Sequence, residues 1–273
     1  LQIQDYKMLD LIHYSYPLLI QPEKFLEHLL TIIHNKIIHN KPRLGLMDYN
    51  FSDKQLKYIF IIYNIMSWVS DSPLKFVYWK AAARAQSAML MCHAANIEYS
   101  WEEPPEDWKS VKKNYPFGQL PCLIHHDKTI AQSGTMARYC AHLSSLMPED
   151  IFKQLDADML MEFSNDIYNL FAKAKYAGDE LAQQVAWTRV KSKQLPEKLE
   201  YLVKFLGDKP FFSGDVVHAG DVAIFSILNL AIEAGVDWRE KFPSLSAHYD
   251  RVKSVGSIEK YLENKPKPYF VSV

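Results

Sequence analysis

The sequence is poor in cysteine and glycine and has no marked excess of either charge. It has three cysteines and nine glycines in 273 residues, and 31 basic side chains stand against 32 acidic ones. At 48% hydrophobic and 23% charged residues, this composition is typical of a globular protein with a sizeable core. The few cysteines exclude a disulfide scaffold, and the balanced charge indicates that nucleic acid is not a partner.

The cysteines and the apolar runs bear on location. Cys92, Cys122 and Cys140 are scattered, without a CxxC pair or zinc-like histidine spacing, which indicates free thiols in a reducing compartment. The longest apolar stretch, residues 58–69, is too short for a bilayer of about 30 Å and contains Asn64. We therefore expect a cytoplasmic protein with no transmembrane segment.

Composition divides the chain near Ser70. Residues 1–70 contain no alanine, whereas alanine is frequent from Ala81 onward. We predict that residues 1–70 form an N-terminal extension of unknown role, helical over 22–40 and 52–69. Two further domains are predicted over 71–146 and 147–273.

Short apolar strands alternate with helices in the middle of the chain. Strands are predicted over 74–79, 97–101, 120–127 and 129–131, and helices over 82–96, 108–114 and 133–146. This βαβαββα order predicts an α/β unit with a mixed sheet. After Pro148 the pattern predicts helices only, over 149–175, 178–206 with an interruption at Pro196, 221–235, and 243–263 in two pieces.

Three residues at element ends have features that a plain core does not need. Pro121 opens a strand, and from this residue alone a trans proline on an edge strand is favoured over a cis proline that exposes backbone to a peptide-like ligand. Ser133 begins a helix, where a plain cap is the default and a seat for an anion is the alternative. Tyr78 ends the first strand, a position typical of a half-buried packing residue.

Together, the order and spacing of these residues resemble a known family. The segments YWKAAARAQ (78–86), DWKSVKKNYPFGQLPCL (107–123) and AQSGTMARYCAHL (131–143) are similar to the glutathione-binding domain of cytosolic glutathione S-transferases. The strand-end tyrosine and the tryptophan eight residues before Pro116 indicate the sigma class, which includes prostaglandin D synthases and lens S-crystallins. The segment 207–228 resembles the family's late helix-capping segment, so the resemblance runs from Leu74 to about Lys265.

The resemblance implies a fold and a chemistry. The fold is a thioredoxin-like domain followed by an all-helical domain. The catalytic residues are Tyr78, whose hydroxyl favours the thiolate of glutathione, and Arg84, which supports the tyrosine and the sulfur electrostatically. Since a free thiol has a pKa of about 8.5, a shift of about two units corresponds to about 2.7 kcal/mol. The activity implied is conjugation or isomerisation of a small apolar electrophile.

The resemblance also implies how glutathione, the co-substrate, is bound. The residues implied are Tyr78, Arg84, Trp108, Lys112, Gln119, Leu120, Pro121, Gln132, Ser133 and Asp166. Leu120, just before a cis Pro121, would pair with the cysteinyl backbone, and Gln132 with Ser133 would hold the γ-glutamyl end. Contacts to the glycyl end would come from Trp108, Lys112 and Gln119. Asp166 would reach the glutathione of the partner subunit, so a homodimer is expected.

Other positions bear on the electrophile, on metal and on the helix cap. The candidates for lining the apolar pocket are Trp79, Phe163, Ile167, Leu170 and Tyr269. Prostaglandin synthases of this class bind a divalent ion through three acids, and Asn165 interrupts that trio here, so no metal is expected.

His218 stands where the family has a capping Ser or Thr, while Asp221 can still reach back to the backbone. Cys122 follows the proline rather than the strand end, which disfavours a thiol-based reaction.

Two alternatives to a conjugating enzyme remain open from the sequence. The first is a non-catalytic binding or structural protein that keeps the fold, as crystallins do, or a subunit of a larger assembly docked through residues 1–70. The second is a specific isomerase of the prostaglandin type. Retention of the thiol-activating residues favours the enzyme.

Overall fold

The computed structural model describes residues 73–81 and 83–270. The helices that we predict over 22–40 and 52–69 lie outside these residues. The first described part alternates strands and helices in the order β1 (Leu74–Val77), α1 (Gln86–Ala94), β2 (Tyr99–Glu102), α2 (Trp108–Val111), β3 (Cys122–His125), β4 (Lys128–Ala131) and α3 (Ser133–Leu143). Two 3-10 turns, Lys112–Asn114 and Pro116–Gly118, lead from α2 to β3.

The strands form one mixed sheet in the order β2-β1-β3-β4. β1 runs parallel to β2 and antiparallel to β3, which in turn pairs antiparallel with β4. Phe76 at the centre is opposite Trp101 on one side and Leu123 on the other. β1 is central, and its Leu74, Phe76 and Val77 are buried, whereas Lys75 is partly exposed. The predicted βαβαββα order and thioredoxin-like topology are confirmed.

The second described part contains helices and no strand among residues 147–270. Its helices are α4 (Ile151–Lys175), α5 (Glu180–Arg189), α6 (Leu195–Leu206), α7 (Ala219–Glu233), α8 (Pro243–Lys253) and α9 (Ile258–Asn264). The all-helical architecture predicted for this region is confirmed. No described helix is both long enough and apolar enough to cross a membrane.

The break predicted at Pro196 is misplaced. The helical path continues from α5 to α6 through a π-helical turn, Val190–Gln194, and Pro196 lies in the first turn of α6. Proline is tolerated in a first turn because its missing N–H would have no partner there. The irregularity therefore precedes the proline.

Helix α7 joins the cores of the two parts. Every residue from Ala219 to Ala231 is buried, since α7 packs against both α4 and α1. Gln86 at the start of α1 is 1% exposed, and its Nε2 donates to the Ser226 carbonyl of α7 at 3.4 Å. A helix that is apolar all round belongs in a core, so α7 holds the helical part against the sheet part.

The start of α7 is fixed by a buried carboxylate. Asp221 accepts the His218 backbone N–H at 2.9 Å, which confirms the predicted reach back to the cap. The same side chain accepts the Phe212 N–H at 2.8 Å and faces Nε2 of His248, also at 2.8 Å. Asp221 and His248 are fully buried. One carboxylate therefore ties the segment before α7 to α7 and α8.

Gly220 gives a test of how closely α7 and α4 approach. A Cβ at this position would lie 2.7 Å from Cδ1 of Leu160 and 3.2 Å from Cα of Ala157. We expect Gly220→Ala to lower the free energy of unfolding by about 1–3 kcal/mol, because the helices must separate. Gly178→Ala is the control, since its Cβ would meet only Ala182 at 3.6 Å. Equal effects of the two variants in urea unfolding would contradict this close contact.

Candidate active site

β1 ends at Val77, two residues before the predicted end of that strand, and Tyr78 follows it directly. Its backbone N–H still donates to the Glu102 carbonyl at 3.0 Å, and Nε1 of Trp101 donates to the Tyr78 carbonyl at 2.8 Å. Both bonds come from β2, so the sheet fixes the tyrosine. The residue is 8% exposed. Ligands of open α/β sheets bind beyond the carboxyl ends of the parallel strands, which is where this hydroxyl lies.

The surroundings of Tyr78 keep its phenol protonated. Burial raises the pKa of Tyr78, whereas a hydrogen bond from the Arg84 backbone N–H and the positive charge of Arg84 lower it. The nearby hydroxyl of Tyr176 raises the pKa as well. Since burial is the largest of these effects and the ordinary value is 10.0, the hydroxyl carries its proton at neutral pH. Tyr78 is a hydrogen-bond donor there, not a base.

Arg84 connects the sheet part to α4. Its guanidinium lies 4.3 Å from the ring centroid of Tyr168, and Nη2 donates to Oδ1 of Asn169 at 3.1 Å. These contacts hold a flexible side chain beside Tyr78 without neutralising its charge. The structure therefore brings the two predicted catalytic residues together.

The loop before β3 and the start of α3 lie side by side. The Leu120–Pro121 peptide bond is cis, as the resemblance implies. Nε2 of Gln132 donates to Oε1 of Gln119 at 3.4 Å, so two predicted contacts meet although 13 residues separate them. The backbone φ of Gln132 is 70°, which lies in the left-handed region that residues other than glycine seldom adopt.

The helix cap at α3 is one residue earlier than we predict. Gln132 is the N-cap, and Ser133 is the first residue of the helix. The Gln132 side chain makes no cap hydrogen bond. The first N–H groups of a helix lack intrahelical partners, so the start of α3 suits an anion.

Trp108 begins α2, and Lys112 lies in the 3-10 turn that follows it. The Trp108 ring centroid is 6.4 Å from that of Trp79 and 5.1 Å from that of Tyr115. Trp79, 48% exposed, is itself 5.8 Å from Tyr78. These aromatic contacts run from Tyr78 to α2, and Lys112 in the turn after α2 is exposed.

Asp166 stands apart from the other predicted glutathione contacts. It lies on α4, its side chain is 64% exposed, and its Oδ2 is 3.6 Å from Nζ of Lys198. No hydrogen bond or ion pair within residues 83–270 joins Asp166 to the predicted contacts of the sheet part.

The predicted lining of the electrophile pocket is only partly correct. Ile167 is fully buried in the core and cannot line an open pocket. Phe163 lies 4.7 Å from Nζ of Lys198, and Leu170 lines a separate cavity of about 410 Å³ between α4 and α5. Trp79 and Tyr269 remain beside Tyr78.

Sequence reasoning missed several aromatic residues around Tyr78. Tyr168 and Tyr176 come from α4 and its end, and the Tyr176 hydroxyl contacts that of Tyr269. That hydrogen bond, followed by burial, raises the pKa of Tyr269 to about 12. Phe270 is 1% exposed, with its ring centroid 5.0 Å from that of Tyr168. The eight-residue spacing of Tyr168 and Tyr176, which places both on one side of α4, is the signal that could have found them.

Cys122 is not part of the reactive end. It is fully buried, its Sγ donates to the Gln119 carbonyl at 3.3 Å, and burial raises the pKa of its thiol. A buried thiol with a raised pKa is a poor nucleophile. This supports the prediction that Cys122 does not replace Tyr78.

A larger groove has Lys80, Trp101 and Lys265 among its lining residues. It has a volume of about 1080 Å³ and runs between β2 and α9, where Tyr99, Tyr261 and Lys260 line it. None of the predicted glutathione contacts lines this groove. The hydroxyl of Tyr78 therefore marks a different site.

A thioredoxin-like sheet part followed by an all-helical part defines a two-domain α/β plus all-α protein. Family models place the chain more closely. Residues 74–142 match "Glutathione S-transferase, N-terminal domain", and residues 165–265 match "Glutathione S-transferase, C-terminal domain". The chain belongs to the glutathione S-transferase family, whose members use glutathione as co-substrate, and it is a glutathione transferase enzyme.

Individual relatives agree with this assignment. The chain is 29% identical over 194 residues to "Hematopoietic prostaglandin D synthase" of Gallus gallus, covering 71% of this chain and 96% of that protein. It is 28% identical to "Glutathione S-transferase" of Dirofilaria immitis, with 68% and 90% covered. The solved structure "rat hPGDS complexed with a quinoline" superposes with a TM-score of 0.65 at 24% identity, covering 71% and 98% of the two chains, and so shares the fold.

Proposed function

We propose that this enzyme activates glutathione through Tyr78 and joins its sulfur to a small apolar electrophile. The observation that carries the proposal is the buried, protonated Tyr78 hydroxyl at the carboxyl end of β1, next to the backbone N–H and the charge of Arg84. A donor held in a water-poor site favours the thiolate over the thiol, because it stabilises only the charged form of the sulfur.

The reaction proceeds in two steps. The glutathione thiol loses its proton to solvent, and the Tyr78 O–H donates a hydrogen bond to the resulting thiolate. The sulfur then attacks the electrophilic carbon. With an aryl halide, a C–S bond forms and the halide leaves with the electron pair of the broken bond. Tyr78 keeps its proton throughout, while the Arg84 charge stabilises the anion.

The glutathione-binding site extends from Tyr78 in two directions. The backbone of Leu120, beside the cis proline, pairs with the cysteinyl residue of glutathione, as in the addition of a strand to a sheet edge. Gln132 and Ser133 hold the γ-glutamyl end, where the free N–H groups at the start of α3 face an anion. This arrangement is supported by the contact of Gln132 with Gln119.

The glycyl end of glutathione lies towards α2 and the 3-10 turn that follows it. Trp108 and Lys112 contact this end, and the Lys112 ammonium pairs with the glycyl carboxylate. Gln119, whose Oε1 accepts from Nε2 of Gln132 at 3.4 Å, lies between the two ends of glutathione. Lys112 makes no ion pair with a described residue, so its charge is available to a ligand.

The enzyme works as a homodimer in which Asp166 reaches the glutathione of the partner subunit. The exposed side of α4 supports this, because a row of apolar side chains faces outward there, at Ile151, Phe152, Leu155 and Met159. Such rows are typical of protein interfaces.

Sedimentation tests the dimer. We expect a species of twice the chain mass of 31.7 kDa, and a shift towards monomer in Phe152→Asp, which places a charge on a side chain that is 74% exposed. Val216→Asp, at a position 62% exposed outside α4, is the matched control. A wild-type monomer at micromolar concentration would rule out the role of Asp166.

Retention on glutathione-agarose together with an aryl-halide conjugation assay tests the activity. Binding with turnover supports the proposal. Binding without turnover favours the alternative, a non-catalytic protein of the same fold. A panel of electrophiles, peroxides and a prostaglandin endoperoxide then separates conjugation from isomerisation. Isomerisation is included because the relative from Gallus gallus is named a prostaglandin D synthase.

A reducing location such as the cytoplasm suits this chemistry. Cys92, Cys122 and Cys140 are free and buried. Reduced glutathione is abundant where protein thiols stay reduced.

A further inference from the structure

The tail after α9 is built as a stiff strut. Helix α9 ends at Asn264, and the next residues are Lys265, Pro266, Lys267, Pro268, Tyr269 and Phe270. Two prolines fix their own φ and drive the residues before them into extended backbone. Lys265 accordingly has φ −65° and ψ 159°. At about 3.1 Å per residue in this conformation, the four steps from Lys265 to Tyr269 span about 12 Å.

The near end of the strut is anchored on α7. Nζ of Lys265 forms an ion pair with Oε1 of Glu233, and the two side chains are only 14% and 9% exposed. Oε1 of Glu233 also accepts from Nδ2 of Asn229 at 2.5 Å, and Oδ1 of Asn229 accepts the Tyr249 hydroxyl at 2.8 Å. The anchor therefore belongs to a buried polar network shared by α7 and α8.

The far end of the strut closes over the aromatic residues beside Tyr78. The Phe270 ring centroid lies 5.0 Å from that of Tyr168, 5.8 Å from Phe171 and 6.4 Å from Trp187. The Tyr269 hydroxyl contacts that of Tyr176. A stiff segment with a fixed start has few places to end, so the anchor helps to decide where Tyr269 lies.

We propose that the Lys265–Glu233 ion pair is a positioning element that sets the tail over the electrophile side of the active site. This rests on the proposed function, which puts the reactive sulfur at Tyr78. Neither Lys265 nor Glu233 touches a predicted glutathione contact through a hydrogen bond or ion pair of the described residues. Loss of the pair should therefore weaken electrophile binding and spare glutathione.

The decisive variant removes both charges. Lys265→Met alone would leave Glu233 buried and uncompensated, whereas Lys265→Met with Glu233→Gln removes the tether without leaving a lone charge. With 1-chloro-2,4-dinitrobenzene, we expect the double variant to raise the electrophile KM at least fivefold and to leave the glutathione KM within twofold of wild type. Lys265→Arg should stay within twofold on both, because it keeps the charge.

Lys267→Met is the matched control, since it lies in the same strut, is exposed and makes no ion pair with a described residue. We expect it to leave both KM values within twofold of wild type. An unchanged electrophile KM in the double variant, or an equal rise in both KM values, would overturn the proposal.

Hydrogen exchange provides a readout that needs no turnover. The backbone amides of Lys267, Tyr269 and Phe270 should exchange at least tenfold faster in the double variant than in wild type or Lys267→Met, while those of β1 stay unchanged. If the wild type fails to conjugate, the proposed function fails, and the exchange rates still test the tether. Unchanged exchange of the tail amides in the double variant would refute the tether, whether or not the wild type conjugates.

Discussion

Tyr78→Phe is expected to lower kcat/KM for aryl-halide conjugation about 50-fold at pH 6.5 and about 100-fold well below that pH. The substitution keeps the buried ring and removes only the hydroxyl that donates to the sulfur. A donor that lowers the pKa of bound glutathione by about two units contributes about 2.7 kcal/mol to the thiolate, which is a factor of about 100 in its population at low pH. The binding of glutathione itself should change far less, because its peptide and carboxylate contacts remain.

The pH profile gives the sign of this effect. In the wild type we expect the sulfur to titrate near pH 6.5, about two units below a free thiol at about 8.5, and the rate to rise through that lower value. In Tyr78→Phe the rise should move to about pH 8.5. The loss of conjugation rate in Tyr78→Phe relative to wild type is therefore largest below pH 6.5, shrinks between pH 6.5 and 8.5, and is small above pH 8.5. Titration of the thiolate absorbance of the bound complex measures the same shift directly.

Tyr99→Phe is a matched control for Tyr78→Phe. Tyr99 also belongs to the sheet part, and its hydroxyl is 3.1 Å from Nε2 of His93. We expect its activity and pH profile to stay within twofold of wild type. Full conjugation activity in Tyr78→Phe, with the pH profile unmoved, would exclude the proposed mechanism.

The sheet part could be predicted from the sequence because its signals are local. A short, mostly apolar segment predicts β1, and the order of such segments and helices predicts an α/β unit with a mixed sheet. The thioredoxin-like topology follows from the family resemblance. Tyr78, Gln132 and Ser133 could be located because each lies at the end of an element. The end of a strand or the start of a helix is visible in a window of a few residues.

The aromatic surroundings of Tyr78 could not be predicted in the same way. Arg84 and Asn169 are 85 residues apart, and Tyr176 and Tyr269 are 93 apart. No local pattern brings such pairs together, since their meeting depends on how α4 and the tail pack. Ile167 lies in the core, although the family resemblance makes it a pocket candidate. The resemblance indicates which helix lines the pocket, but not which side chains of that helix face the core instead.

The π-helical turn before Pro196 has a similar explanation. Proline is the strongest local sign of a helix break, so sequence reasoning places the irregularity there. The chain instead keeps α6 regular, with Pro196 in its first turn, and inserts the extra residue upstream at Val190–Gln194. Val190 and Leu195, on either side of this turn, are both buried. The turn lets both side chains reach the core, which a local rule does not detect.

Asp221→Ala is expected to lower the free energy of unfolding by about 3–5 kcal/mol. The carboxylate is fully buried and accepts the backbone N–H groups of Phe212 and His218, while Nε2 of His248 faces it at 2.8 Å. Its removal leaves these donors in a dry interior, where each unpaired group costs about 1–3 kcal/mol. Domains are stable by about 5–15 kcal/mol, so the loss is a large share of the total.

Urea unfolding followed by far-UV circular dichroism measures this effect. Asp221→Asn should lie between wild type and Asp221→Ala, since an amide oxygen still accepts one N–H while its NH2 group faces the others. Asp215→Ala is the control, because this exposed aspartate lies in the same segment before α7. Asp221 lies outside the predicted glutathione contacts, so the folded fraction of Asp221→Ala should keep the wild-type KM for glutathione. Equal stability of the Asp215 and Asp221 variants would mean that the buried carboxylate does not hold α7 in place.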